Sequence, residues 1–203
     1  MKILKNIIFK NYTSLSVNHG INIFIHLVFV PLFLTFWDLG IYADWILIST
    51  IPGLLSISQF GLTAYGSNLI VIAYKQNKKN KANFVFQNIF YFVSVFIFSL
   101  CLILLLLNYI FDFQKIFDIA SVNKSEIYLV IIFVVLKYLL FSNSNFLAGF
   151  FRINHKFHLT VYLQSIFLST EIILITFTLF LGGQILEVSF VGFINYVIAL
   201  ITS

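Results

Sequence analysis

The chain has 203 residues, of which 61% are hydrophobic and 9% are charged, and its formal net charge is +5. Soluble domains average about 25% charged residues, and a water-soluble fold of this size could not bury so much apolar surface. The composition therefore excludes an ordinary soluble domain and indicates an integral membrane protein. The basic residues form lysine clusters without a DNA- or RNA-reading motif, so no nucleic-acid partner is expected.

Apolar stretches of membrane-helix length follow one another along the chain. A helix that crosses about 30 Å of hydrocarbon needs roughly 20 mostly apolar residues. The second stretch is too long for one straight crossing, and Pro52-Gly53 predicts either its division into an interfacial piece and a crossing or a kink. The stretches run from Leu15 to Phe36, from Ile41 to Tyr74, from Asn83 to Ile110, from Ile127 to Phe150, from Leu159 to Leu181, and from Ser189 onward.

The sixth stretch stops at Ser203, after 15 residues. It would form about 22 Å of helix, which is shorter than the hydrocarbon core. Because a terminal carboxylate at membrane depth is costly, we expect an incomplete chain, with a tilted or re-entrant tail as the alternative. The predicted fold is an all-α polytopic membrane helical bundle with five complete spans plus a partial sixth. Residues 1–203 are expected to form this single bundle.

The placement of lysine and arginine predicts the orientation of the bundle. Short cytoplasmic loops are enriched in these two residue types. Nine of the twelve basic residues precede the first stretch, follow the second or follow the fourth, and these are alternate connections on one side. The N-terminus is therefore predicted to be cytoplasmic. The nine are Lys2, Lys5, Lys10, Lys75, Lys78, Lys79, Lys81, Arg152 and Lys156.

Three short elements carry a family resemblance. They are Leu39-Gly40-Ile41-Tyr42-Ala43-Asp44-Trp45, then Gln59-Phe60-Gly61-Leu62-Thr63-Ala64 leading to Asn68, and Phe151-Arg152-Ile153-Asn154-His155-Lys156-Phe157. In order and spacing they resemble the opening half of bacterial polysaccharide (O-antigen and capsule) flippases. These flippases are a branch of the multidrug/oligosaccharidyl-lipid/polysaccharide exporter superfamily. Ala43-Asp44 stands where the family has a glycine turn, and Gln59 stands where the family has an acidic residue.

The resemblance implies a transport function. Family members have two similar helical bundles around a central cavity, so this chain would be the N-terminal bundle of a longer transporter. The implied activity is translocation of lipid-linked oligosaccharide repeat units across the bacterial inner membrane, for surface polysaccharide synthesis. The implied partners are membrane lipids, an undecaprenyl-pyrophosphate-linked oligosaccharide and other polysaccharide-assembly proteins.

Two opposite charges are predicted at nearly equal depth in the membrane. Lys137 lies ten residues from the outer end of the fourth stretch, and Glu171 lies about eleven from the outer end of the fifth. A charge at the helix centre costs about 2.5–3.5 kcal/mol on insertion scales, so each needs a physical reason. One hypothesis is a structural ion pair. The other is a water-filled cavity in which one or both residues meet an anionic substrate or a coupling proton.

Further polar residues in the apolar stretches are candidates for a substrate or ion pathway. Asn18, Asn22 and His26 recur every four residues and would share one helical face. They predict either contacts between helices or a hydrophilic strip in a cavity. Candidates for hydrogen bonding to sugars are Asn143, Asn145 and Gln164, with contact between helices as the alternative. Candidates for a pyrophosphate headgroup are Arg152 and Lys156, with topology and anionic-lipid contact as the alternative.

No enzymatic motif is present in the sequence. The chain contains no phosphate-cradling glycine loop, no paired-histidine metal site and no Gly-x-Ser-x-Gly elbow, so no catalytic residue, metal or cofactor is expected. The alternatives are another exporter of the same superfamily, for a drug or a different lipid-linked precursor, or a membrane polysaccharide polymerase or acyltransferase. A truncated, inactive gene product is a further alternative.

Overall fold

The computed structural model describes residues 2–57, 60–111, 113–148, 151 and 156–202, with the backbone alone at 2–6, 51–57, 60, 62–64, 142–148 and 200–202. The described part is all-helical and contains no strand. The predicted fold class is therefore confirmed at the level of an all-α chain. The helices are α1 (Lys2–Phe36), α2 (Leu39–Ile57), α3 (Phe60–Lys75), α4 (Lys79–Ile110), α5 (Phe113–Ile116), α6 (Lys124–Ala148), α7 (Phe157–Phe180) and α8 (Ile185–Thr202).

Three helices of the described chain are long and apolar enough to cross a membrane. They are the Ile7–Phe36 part of α1, the whole of α4 and the whole of α7. Shorter apolar segments lie in α2, over Leu39–Thr50, and in α8, over Ile185–Ala199. Helix α6 is 25 residues long, but it carries three charged residues, Lys124, Glu126 and Lys137.

The second apolar stretch forms two helices, but the expected division at Pro52-Gly53 is wrong. Helix α2 continues past this pair to Ile57, and α3 begins at Phe60. A proline inside an apolar helix costs one backbone hydrogen bond, and membrane helices tolerate this loss. The resembling element Leu39–Trp45 likewise lies within α2, in place of the expected turn.

Pairwise helix contacts place α8 between α6 and α7. It packs on α6 along one side and on α7 along the other, while α1 packs on α7. Helix α4 contacts α6 and pairs with α3, and α2 lies against α6. The largest apolar core joins side chains of α1, α2, α4, α6, α7 and α8, with Ile97, Val130 and Val135 at its centre. A smaller cluster of Ile70, Ala73 and Ala82 joins α3 to α4.

One end of the bundle is fastened by a tryptophan at the end of α1. Trp37 Nε1 donates a hydrogen bond to Gly183 O at 2.9 Å, in the turn between α7 and α8. Position 183 requires glycine, because a Cβ there would lie 2.8 Å from the backbone oxygen of Thr178. Trp37 is buried, and its ring packs at 4.8 Å from that of Phe33. The turn is therefore held directly against α1.

At the same end of the bundle, a buried carboxylate of α2 holds the loop that precedes α6. Asp44 of α2 is only 7% exposed, and its Oδ2 accepts hydrogen bonds from the backbone N–H groups of Ala120 and Ser121 at 3.1 and 2.8 Å. Ser121 Oγ donates to the same oxygen. Hydrogen bonds to an ionised acceptor are about twice as strong as neutral ones. The loop before α6 is thus bound to α2 by Asp44.

Replacing this carboxylate by an amide should loosen the loop. In Asp44→Asn the charge is lost and an N–H₂ group competes for the position of one acceptor oxygen. We expect a loss of about 1–3 kcal/mol in the free energy of unfolding, because a hydrogen bond to a charged group contributes about 1.5–3 kcal/mol. Thermal unfolding of the detergent-solubilised protein, followed by circular dichroism, measures this change.

The matched control is Asp118→Asn, which makes the same chemical change at an exposed site. Asn tolerates the positive φ of 52° that Asp118 adopts. Its free energy of unfolding should stay within about 0.5 kcal/mol of the wild type. Equal stability of the two variants would show that the Asp44 hydrogen bonds do not hold the loop.

Candidate functional site

An ion pair joins α6 to α7 inside the bundle. Lys137 Nζ donates a hydrogen bond to Glu171 Oε1, which confirms the pairing expected from their equal depth. The two partners differ in burial: the Lys137 side chain is 31% exposed and the Glu171 side chain is 11% exposed. The ammonium therefore faces open space, while the carboxylate lies among the helices.

Helix α8 presents Gly192 to the ion pair, and a Cβ at this position would be in ordinary van der Waals contact with both charged groups. A Cβ on Gly192 would lie 3.5 Å from Lys137 Nζ and 3.6 Å from Glu171 Oε1. The two charged groups thus meet beside the backbone of α8, which lies between α6 and α7. One turn further on, the ring of Tyr196 lies with its centroid 5.4 Å from the same Nζ. A cation over an aromatic face is an attractive contact.

The pair borders a cavity of about 280 Å³. Helix α2 contributes Trp45 and Ser49 to its wall, and α8 contributes Ser189 together with Gly192 and Tyr196. The wall therefore combines one cation, one anion, hydroxyl groups and aromatic rings. Ligand sites typically show this mixture of apolar walls with a few convergent polar groups.

One buried hydroxyl in the cavity wall has no partner. Tyr138 follows Lys137 on α6, lines the cavity and is 5% exposed. Its hydroxyl makes no hydrogen bond within the described part of the chain. Leaving a buried hydroxyl unsatisfied costs about 1–3 kcal/mol.

The side chains of two predicted pathway residues of α1 donate hydrogen bonds to other protein groups. Asn18 Nδ2 donates to Ser165 Oγ of α7 at 3.0 Å, and Asn22 Nδ2 donates to Asn18 O at 2.8 Å. The Asn18 bond agrees with the hypothesis of contacts between helices, whereas the Asn22 bond stays within α1. His26 is exposed on α1. Neither Asn22 nor His26 is among the described residues that line the cavity.

The other predicted candidates lie away from the pair or outside the described side chains. Gln164 is half-buried on α7, seven residues before Glu171, and is not among the described cavity residues. Asn143 and Asn145 belong to α6, where the backbone alone is described. Arg152 lies outside the described residues.

The spacing of polar residues in the last apolar stretch indicates a cavity-facing side of α8. Ser189, Gly192 and Tyr196 recur at three- and four-residue intervals, so they share one face of a helix that is otherwise mostly apolar. Trp45 and Ser49 are four residues apart in α2, so they likewise share one face of their helix. This pattern is the signal in the sequence by which the cavity wall could have been found. None of its residues is among the predicted pathway residues.

Removing one partner of the ion pair should cost more than removing both. Lys137→Ala leaves the Glu171 carboxylate buried without its cation, and breaking a buried pair in this way costs about 3–5 kcal/mol. Lys137→Ala with Glu171→Ala removes both charges, so the double variant should be more stable than Lys137→Ala alone. Glu171→Ala should be milder than Lys137→Ala, because the more exposed ammonium can be hydrated. Yield of membrane-inserted protein and thermal unfolding in detergent measure all three.

The control for these variants is Lys115→Ala, which removes an exposed lysine outside the predicted spans. Its stability should change by no more than about 0.5 kcal/mol. Additive damage, in which the double variant loses as much stability as the two single variants together, would show that the pair contributes no coupling energy.

The chain was compared with protein families, curated proteins and solved structures. No family model matches it, no curated protein matches it, and no solved structure matches it. The function is therefore argued from the ion pair, the cavity wall and the charge distribution of the chain.

Proposed function

We propose that the protein translocates lipid-linked oligosaccharide repeat units across the bacterial inner membrane, for assembly of a surface polysaccharide. The observation that carries the proposal is the cavity beside Lys137 and Glu171, with its hydroxyl groups and aromatic rings. Sugars present hydroxyl groups and apolar ring faces together, and this wall offers partners for both. In this proposal the oligosaccharide passes through a hydrated space while its lipid tail stays in the bilayer.

The free-energy cost of removing the ion pair from water supports a role for the pair beyond helix packing. A buried ion pair is weak evidence for stability, because desolvation of both charges can exceed their attraction. Apolar side chains would make α6 and α7 easier to insert than Lys137 and Glu171 do. Charged residues inside membrane segments commonly mark substrate or ion pathways. Their position on a cavity wall is the arrangement that a pathway requires.

The proposed topology has five complete spans plus a partial sixth, with a cytoplasmic N-terminus. In chain order the five complete spans are α1, α2 with α3, α4, α6 and α7. Helix α8 is the partial sixth span. The contacts of Trp37 and Asp44 bring the end of α1, the start of α6 and the α7–α8 turn to one end of the bundle. That end carries few lysines, so it is assigned to the outside. In the proposed transporter this chain is the N-terminal bundle of two, which alternate in access around the site.

Site-directed labelling tests the orientation. The single cysteine, Cys101, is buried and can be replaced by alanine. In that background Lys115→Cys should react with a membrane-impermeant maleimide in intact spheroplasts, and Lys78→Cys should react only in inverted vesicles. Both lysines are exposed in the folded chain, so both cysteines should react after detergent is added, which serves as the control. The reverse pattern would place the N-terminus outside.

Deletion of the gene tests the transport function. Complete lipid-linked repeat units should accumulate on the cytoplasmic leaflet, and surface polysaccharide should be lost. Enzymatic access to the glycan in inverted vesicles, compared with intact spheroplasts, reports the leaflet. Reintroduction of the wild-type gene or of Lys115→Ala should restore the polysaccharide, whereas Lys137→Ala should not.

The same experiment separates the alternative functions. Single repeat units that face outward would indicate a polymerase. Complete units without an added acyl group would indicate an acyltransferase. An unchanged polysaccharide would exclude the proposed substrate and leave an exporter of another compound.

A further inference from the structure

The turn between α3 and α4 carries the densest group of positive charges in the chain. Four lysines lie within seven positions there, and all four are exposed. The sequence has no aspartate or glutamate from position 45 to position 111, so neither α3 nor α4 supplies a carboxylate to them. The four residues, called here the turn cluster, are Lys75, Lys78, Lys79 and Lys81.

The acidic side chains of the protein are far from the turn cluster. Glu171 is bonded to Lys137 inside the bundle. Asp112 follows the opposite end of α4 in the sequence, and α4 has 32 residues, which make about 48 Å of helix. The remaining four acids and Asp44 belong to the end of the bundle that Trp37 holds: Asp38, Asp118, Glu126 and Glu187. The side chains of the protein therefore give the turn cluster no nearby counter-charge.

Backbone hydrogen bonds hold the turn in one conformation. Asn77 adopts a positive φ of 57°, the Lys78 N–H donates to Ala73 O at 3.1 Å, and the Asn77 N–H donates to Tyr74 O at 3.0 Å. This pair of bonds closes many helices that end on a left-handed residue. Helix α4 then begins at Lys79. The lysines are thus kept together on a fixed backbone, where their like charges repel. An anion bound among them would relieve this repulsion.

Exposed apolar side chains begin within one helical turn of the turn cluster. Tyr74 directly precedes Lys75 and is 40% exposed, while Phe84 lies three residues after Lys81 and is 67% exposed. Residues three apart lie on the same side of a helix, and here they are about 4.5 Å apart along its axis. A phospholipid has the same order of groups, because its charged phosphate lies next to apolar chains. An acidic soluble protein would complement the lysines and leave the Phe84 ring in water.

We propose that the turn cluster binds the phosphate of an anionic phospholipid, whose acyl chains pack on the exposed apolar side chains of α3 and α4. The inference goes beyond the proposed function and does not rest on it. The enrichment of lysine in cytoplasmic loops concerns the orientation of a membrane protein, whereas the turn cluster is here assigned a ligand in the folded protein. The expected preference is for phosphatidylglycerol over phosphatidylcholine, because the second lipid has no net charge.

Native mass spectrometry of the full chain in a neutral detergent measures the affinity for each lipid. The probes are phosphatidylglycerol and phosphatidylcholine with the same acyl chains. The wild type should bind phosphatidylglycerol at least about tenfold more tightly than phosphatidylcholine. The turn variant combines Lys78→Gln, Lys79→Gln and Lys81→Gln. It should bind phosphatidylglycerol at least about tenfold more weakly than the wild type, since each lysine near an anionic lipid contributes its own attraction. Its affinity for phosphatidylcholine should not change.

Two control variants are matched to the turn variant. The first combines Lys2→Gln, Lys5→Gln and Lys10→Gln, which remove the same number of charges before the first apolar stretch. The second places arginine at the three substituted positions of the turn, so the charge is kept. Both should bind phosphatidylglycerol within about threefold of the wild type. Circular dichroism of every variant verifies that the helices are retained.

Three results would overturn the lipid site. The first is equal affinity of the wild type for the two lipids. The second is an equal loss of phosphatidylglycerol binding in the turn variant and in the first control, because the lysines would then act only through net charge. The third is binding of polyglutamate that the turn variant loses, without any preference for phosphatidylglycerol, which would assign the turn cluster to an acidic protein. The effect of gene deletion on surface polysaccharide bears on the proposed function alone.

Discussion

The ion pair between Lys137 and Glu171 is the constraint on which the centre of the bundle depends. A charge away from water is costly unless it is paired, and α6 and α7 present Lys137 and Glu171 to each other. Helix α8 lies between these helices, and a glycine at position 192 brings its backbone against both groups. The depth of one lysine thereby fixes the relative positions of three helices. The same glycine lines the adjacent cavity.

Much of the helix layout is predictable from the sequence, for a simple physical reason. A bilayer demands long apolar helices, so Asn83–Ile110 and Leu159–Leu181 mark α4 and α7 to within a few residues. The positions of Lys137 and Glu171 along their helices, calculated from a fixed rise per residue, also predict that the two residues meet. Both predictions depend on position along a helix axis, which the sequence specifies directly.

Rotation about the helix axis is much harder to predict. These helices are apolar on nearly every face, so periodicity does not indicate which side turns inward. The amides of Asn18 and Asn22 could therefore face a cavity or another helix, and they bond to each other and to Ser165. The Asp44 contact with the loop at Ser121 joins residues 77 positions apart, and no local pattern encodes that pairing. Pro52-Gly53 misleads for a related reason, since breaker rules derived from water-exposed helices lose force in apolar ones.

The two fastenings at Trp37 and Asp44 lie at the same end of the bundle, and this arrangement has a mechanical consequence. The indole bond to Gly183 and the carboxylate bonds to the Ser121 loop tie α1, α2, α6 and the α7–α8 turn together there. A rocking motion that keeps these bonds intact must pivot about that end. Each helix then acts as a lever arm, and displacement grows with distance from the pivot. The largest excursions would fall at the lysine-rich end, where α3 turns into α4.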